Sequence, residues 1–340
     1  MIPKARKELT RGWRAVVAAS VVAFLTLNAA THTLRIYHWF TLLLIPVAMF
    51  SGERGRRFFL DWSPLFAFWI SYDRLRLIQP LLLGRVAVGW PYELERRLFG
   101  WMANGDVPPH AARLWLLAHS QEAWGGFLID AFQAVYLTQL FAIPGLMLIW
   151  WLLGRPLLSR RGGHWRPSNA PGRQAGPDRP PETEGWYRSW FVRCLYAFTC
   201  LNVVGFAGYL LLPVAPPWWI TLHGMAQPST DLVASSRLSL AMDGRIVRGM
   251  IATAPYWFGA IPSLHSAYPV LLALLSIGHL RRTGVLLSTV YALMMGVSCV
   301  VLNQHYIIDL VAGALGAVIA WKAGDYLFGR RTRLNPAQFA

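Results

Sequence analysis

Two short stretches near the C-terminus hold the side chains best suited to chemistry: Pro262-Ser263-Leu264-His265-Ser266 and His305-Tyr306-Ile307-Ile308-Asp309. Each adjoins a long apolar run. On a helix, a spacing of four puts His305 and Asp309 on one face, one turn apart. A carboxylate there fixes the imidazole tautomer and leaves the other ring nitrogen as a nucleophile. Its attack on phosphorus would give a phosphohistidine. His265 supplies a second, independent imidazole. It can protonate a leaving alkoxide and later take a proton from an incoming hydroxyl. Taken singly, the His305–Asp309 pair reads better as a packing pair, and Pro262–Ser266 as an ordinary capped helix start. Two such groups at the ends of separate apolar runs point to phosphoryl transfer at a membrane edge, where ionisable groups are costly.

The elements that must position these residues are apolar helices. Of 340 residues, 55% are hydrophobic and 14% charged, against roughly 25% charged in a soluble domain. The fold class expected is all-α: a polytopic membrane helix bundle. Eight spans account for the chain, near 15–33, 36–50, 59–79, 124–153, 190–212, 258–279, 284–302 and 306–327. Seventeen Trp and twelve Tyr suit aromatic belts at the two interfaces. Basic residues cluster in 1–14, 51–57, 154–189, at Arg281-Arg282 and at Arg330, Arg331 and Arg333. With eight spans all five clusters fall on one side, which the positive-inside rule makes cytoplasmic. Both termini are then cytoplasmic, and both histidine motifs face outward. The net charge of +16 does not point to nucleic acid, because the arginines lie between apolar runs rather than along one face.

The segment 154–189 is rich in Pro, Gly and Arg and is expected to be disordered. The connections 80–123 and 213–257 lie on the outer side. Leu94, Leu98 and Trp101 follow amphipathic spacing there, as in a segment lying on the bilayer; solvated loops are the alternative. Cys194, Cys200 and Cys299 show no metal-ligand spacing. No metal or other cofactor is expected, and the activity should resist a chelator.

Gly259-Ala-Ile-Pro-Ser-Leu-His265-Ser and Gln304-His305-Tyr-Ile-Ile-Asp309-Leu-Val-Ala-Gly313 resemble the second and third motifs of the type 2 phosphatidic acid phosphatase superfamily. They look most like its inositol phosphorylceramide synthase branch. Pro213-Val-Ala-Pro-Pro-Trp-Trp219 is similar to that branch's proline-rich segment, and Asp61-Trp-Ser-Pro64 with Tyr72-Asp73-Arg74 to its upstream motif. The resemblance covers roughly 57–325 and implies a six-helix core. By it, His305 is the nucleophile, Asp309 its partner and His265 the acid/base. The chain departs from the classical lipid phosphatases: their Lys…Arg-Pro motif is not found, and Cys299 stands where they carry an Arg. Gln304 stands where the synthases usually have a His.

The layout expected is 1–56 as membrane spans outside the family core, 57–153 as the first part of the core, 154–189 as a cytoplasmic linker, 190–327 as the catalytic part and 328–340 as a basic tail. Ser263, Ser266 and Tyr306 are candidate substrate contacts, as are Asp73, Arg74, Arg76, Arg245 and Arg248; the arginines could stabilise transition-state charge. The expected function is transfer of a phosphorylated headgroup, such as phosphoinositol, from a phospholipid to a membrane lipid or glycan hydroxyl. A lipid phosphatase acting on a phosphatidate or polyprenyl phosphate is the alternative within the class. A non-catalytic transporter or scaffold is the alternative outside it. High Arg and Ala usage suggests a bacterial plasma membrane.

Overall fold

The computed structural model describes residues 4–153, 182–239, 254–277 and 280–334. Regular structure among them is helical, with two isolated β-bridges. The chain forms two compact units, Met1–Arg76 and Leu77–Ala340. In the first, α1 (Lys4–Ala30) packs on a 3-10 turn (Ile36–Leu43) and on α2 (Leu44–Phe50), and α3 (Gly52–Leu82) begins. The second holds α4 (Gly89–Phe99), α5 (Pro108–Ala118), α6 (Ala123–Leu153), α7 (Glu182–Leu211), α8 (Pro217–His223), α9 (Thr230–Ser239), α10 (Leu264–Ser276), α11 (Arg282–Val301) and α12 (Ile307–Leu334).

Each of the eight apolar runs contains a helix, but they are not alike. Among the described residues, Gly12–Ala30, Arg188–Leu211, Arg282–Val301 and Ile307–Arg330 are long and apolar enough to cross a membrane. Ala123–Gln139 and Phe141–Leu153 add a fifth span with a 48° bend. Pro144 explains that bend, since it cannot donate to the Leu140 carbonyl. His38–Phe50 and Leu264–Ser276 are shorter apolar helices.

The run 258–279 needs correction. Among its described residues only 264–276 are helical, and 13 residues rise about 20 Å, short of a hydrocarbon core of about 30 Å. The helix starts late because the preceding residues are irregular and Ser263 caps it, its Oγ accepting from Ser266 N at 3.4 Å. With Ser263 as the cap, Pro269 lies inside the helix rather than in its first turn, and cannot donate to the His265 carbonyl. At the linker, α7 begins at Glu182, so 182–189 are helical. Residues 154–181 lie outside the described residues, as do Arg245 and Arg248. The start of the tail, 328–334, continues α12.

In the second unit α12 lies along α7 and α10, and α11 packs on α10 and α6. Small residues permit the approach, as membrane helices require: a Cβ on Gly324 would stand 2.8 Å from the Ala197 backbone. Above the helix ends, three loops are tied by main-chain bonds. Ala87 N donates to Pro213 O at 2.8 Å, Ala215 N to Ala87 O at 3.0 Å and Val214 N to Phe258 O at 2.8 Å. The Gln227 amide donates to the Leu83 and Val86 carbonyls, and the Gln79 side chain accepts from Trp257 N. The proline-rich stretch is therefore a strut between the entrance to α4 and the loop that leads to His265.

Candidate active site

Two bonds stitch the histidine motifs together. Ser263 N donates to Asp309 O at 3.1 Å. The Ser266 hydroxyl lies 3.1 Å from both the Leu310 and Ser263 carbonyls. Gly313 makes this approach possible: a Cβ there would stand 2.2 Å from Ser263 O and 2.5 Å from Ser266 Oγ. Both serines are buried, and their hydroxyls hydrogen-bond within the scaffold.

That scaffold brings the two imidazoles into contact. His305 Nε2 lies 3.2 Å from His265 Nδ1. On the far side, His305 Nδ1 faces Asp309 Oδ2 at 3.4 Å, a long hydrogen bond. The same oxygen accepts from Tyr306 N at 2.9 Å, the backbone half of a capping box. Asp309 has no exposed surface and is fixed before any substrate arrives. With Nδ1–H donating to Asp309, Nε2 carries the lone pair and accepts from His265 Nδ1–H. This tautomer follows from the partners. Tyr306 is fully buried, and its hydroxyl finds no hydrogen-bond partner among the described residues.

His265 is half-buried and held from the side by Tyr136 on α6, whose ring stacks on it at 4.2 Å and 16°. Tyr136 in turn packs in a buried apolar cluster with Met295, Cys299 and Leu302. The site of the missing arginine, Cys299, is thus part of an apolar core, where an unpaired guanidinium would be costly. Gln304 is also buried, and its amide donates to the Leu302 carbonyl. It supports the turn that presents His305.

Glu95 was not legible as part of this region. It has no exposed surface, although it stands on α4, a helix that exposes Leu94 and Leu98. Its two oxygens accept from Ile307 N at 2.9 Å and Ile308 N at 3.1 Å. These are the first amides of α12, which intrahelical bonds leave orphaned. Burial pushes the Glu95 carboxyl up to about 7, against the pull of the two amides; the nearby Asp309 raises it further. The only sequence signal was position: Glu95 is four residues from Pro91, and those two form the buried face of the helix.

Asp73, Arg74 and Arg76 sit in the first unit. Asp73 pairs with both arginines and with His38 at 3.1 Å, and Arg74 also donates to Asn28. Their charges are engaged with one another within that unit.

Comparison with known proteins bears on residues spanning this geometry. The model of the PAP2 superfamily matches residues 188–323. Over 318 residues, 91% of this chain and 90% of the relative, the sequence is 26% identical to a phosphoinositol dihydroceramide synthase of Bacteroides thetaiotaomicron. It is 28% identical over 146 residues to the inositol phosphorylceramide synthase catalytic subunit of Schizosaccharomyces pombe, covering 42% of this chain and 33% of that protein. The corresponding subunit of Saccharomyces cerevisiae is 28% identical over 130 residues, 37% of this chain and 32% of that protein. No solved structure gives a significant match.

Proposed function

We propose that this chain, whose residues 188–323 belong to the PAP2 superfamily and which stands on its inositol phosphorylceramide synthase-like branch, transfers phosphoinositol from a phospholipid to a lipid hydroxyl. The names of the relatives point to a ceramide or dihydroceramide as acceptor. The observation that carries the reading is the row Asp309, His305, His265, with successive contacts of 3.4 and 3.2 Å.

In the first half-reaction, His305 Nε2 attacks the phosphorus of the donor phosphodiester. The bond from phosphorus to the diacylglycerol oxygen breaks, and His265, entering as imidazolium, protonates that oxygen. Diacylglycerol leaves, and the headgroup remains on His305 as a phosphoramidate. In the second, the acceptor hydroxyl loses its proton to His265 while its oxygen attacks phosphorus. The P–N bond breaks and both imidazoles return to their starting states. Asp309 holds His305 in one tautomer throughout and offsets the positive charge that develops on the imidazole ring. Water in place of the acceptor would give hydrolysis by the same steps.

The resting contact sets a condition on this cycle. Ring nitrogens 3.2 Å apart leave no room for a phosphorus between them. The donor must displace this hydrogen bond on binding, and the half-buried His265 is the freer partner.

The site opens, on this reading, to the outer face. Arg281-Arg282, at the start of α11, supports a cytoplasmic position for the end of that helix opposite His305. Helix α4 buries a glutamate and exposes leucines, as a helix lying in the headgroup layer does.

Purified protein in mixed micelles with inositol-labelled phosphatidylinositol and ceramide tests the reaction. Transfer of label to ceramide, with release of diacylglycerol, is the expected result. Release of water-soluble inositol phosphate with no labelled lipid product would make the chain a hydrolase instead.

A further inference from the structure

Helix α12 begins without a cap of its own. Tyr306 occupies the cap position, where Ser, Thr, Asp and Asn are preferred because their short side chains reach the free amides. Asp309 bonds back to Tyr306 N, which leaves Ile307 N and Ile308 N to be satisfied. Glu95 takes both, from a helix more than two hundred residues away in sequence.

This arrangement has a cost that packing alone does not explain. A carboxylate with no exposed surface, beside the equally buried Asp309, is expensive. A serine at position 306 could satisfy one of these amides without burying a charge. What Glu95 adds is a rigid tie between α4 and the two residues that follow the His305-Tyr306 turn. Three carboxylate oxygens hold the amides of Tyr306, Ile307 and Ile308. The turn is pinned beyond His305 by these bonds, and before it by Gln304 N and His305 N, which donate to the Cys299 carbonyl.

We propose that Glu95 is a positioning residue for the transfer reaction: by capping α12 from outside, it fixes the turn that aims His305 Nε2 at phosphorus. The proposal rests on the phosphotransferase reading above. Glu95 touches neither imidazole and acts through the backbone of Ile307 and Ile308. A loosened turn leaves the donor bound but sets His305 off the line of attack, and a misplacement of about 1 Å can cost about a hundredfold in rate. The loss should fall on kcat, with KM for the donor nearly unchanged.

The test compares wild type, Glu95→Ala, Glu95→Gln and His305→Ala, all in the same micelles, with rates normalised to folded protein by size-exclusion profile. Glu95→Ala is expected to lose tenfold or more in kcat, with KM for phosphatidylinositol within twofold. Glu95→Gln keeps one acceptor oxygen and should recover a measurable part of the loss. If Glu95→Ala does not fold, Glu95→Gln alone decides, with an intermediate kcat and unchanged KM expected. Wild-type kcat in the folded Glu95 variants, or a change confined to KM, overturns the proposal. Failure of the phosphotransferase reading is seen separately, as full activity in His305→Ala.

Discussion

His265 Nδ1 and His305 Nε2 are hydrogen-bonded to each other, so the two groups assigned to acid/base and nucleophilic chemistry satisfy one another in the resting protein. Each imidazole is also braced from behind: His305 by a buried carboxylate and His265 by the face of an aromatic ring. An enzyme built this way meets its substrate with both rings oriented, and the donor has one hydrogen bond to break.

The seam between the motifs depends on the missing side chain of residue 313. In Gly313→Ala the new methyl would press on the Ser263 carbonyl, a backbone atom that cannot rotate away. Overpacking of this kind costs about 1–3 kcal/mol. Thermal unfolding in detergent should shift down by several degrees, and specific activity should fall with it, since the same displacement parts the histidines. An unchanged melting profile would mean that α10 and α12 are not in contact at this point.

Tyr136 supplies a surface to His265, so the ring matters more than the hydroxyl. Tyr136→Phe keeps the stack and should retain activity within about threefold. Tyr136→Ala leaves His265 free to swing and opens a void beside Met295 and Cys299. Turnover should then drop by tenfold or more, on the scale of about a hundredfold for a misplaced group. Equal activity of the two variants would remove Tyr136 from the account.

The buried carboxyl of Glu95 gives stability a pH dependence with a definite sign. Its value is raised to about 7 in the folded protein, from 4.5 for an ordinary glutamate. Between those values the folded state holds a proton that the unfolded chain has lost. This group's contribution is therefore complete below pH 4.5 and fades as pH rises toward 7, by on the order of 3 kcal/mol. The titratable groups facing it are Asp309 in the first turn of α12 and Tyr306 just before that helix. Wild type should lose more apparent stability than Glu95→Gln as pH rises from 5 to 7.5. Parallel curves for the two proteins would show that Glu95 does not titrate in this range.

The histidine motifs were readable because their spacing is local. His305 and Asp309 are one helical turn apart, and Ser263 stands where a cap is needed. Helical character was equally plain from apolar runs. What escaped was long-range or depended on main-chain geometry. Glu95 reads as one charge among Glu93, Arg96 and Arg97, and only the fold turns it inward. Tyr136 is one aromatic in an apolar run, with nothing in that run to mark the ring it will touch. Ser263 and Ser266 read as substrate contacts because hydroxyls beside a histidine suggest them; the close approach of α12 instead spends them on the backbone. Hydropathy alone starts α10 too early, because it continues through Trp257 and Phe258, whereas Pro262 and Ser263 fix where the helix begins.

The central claim is a covalent one: the headgroup rests on His305 between the two half-reactions. The direct measurement is an alkaline quench of enzyme mixed with phosphorus-labelled phosphatidylinositol and no acceptor, followed by peptide mapping. Label on the peptide that contains His305, stable in base and lost in acid, is the predicted result. It should persist, formed more slowly, in His265→Ala and be absent in His305→Ala. A wild-type enzyme that turns over while no label is ever found on His305 would contradict the account.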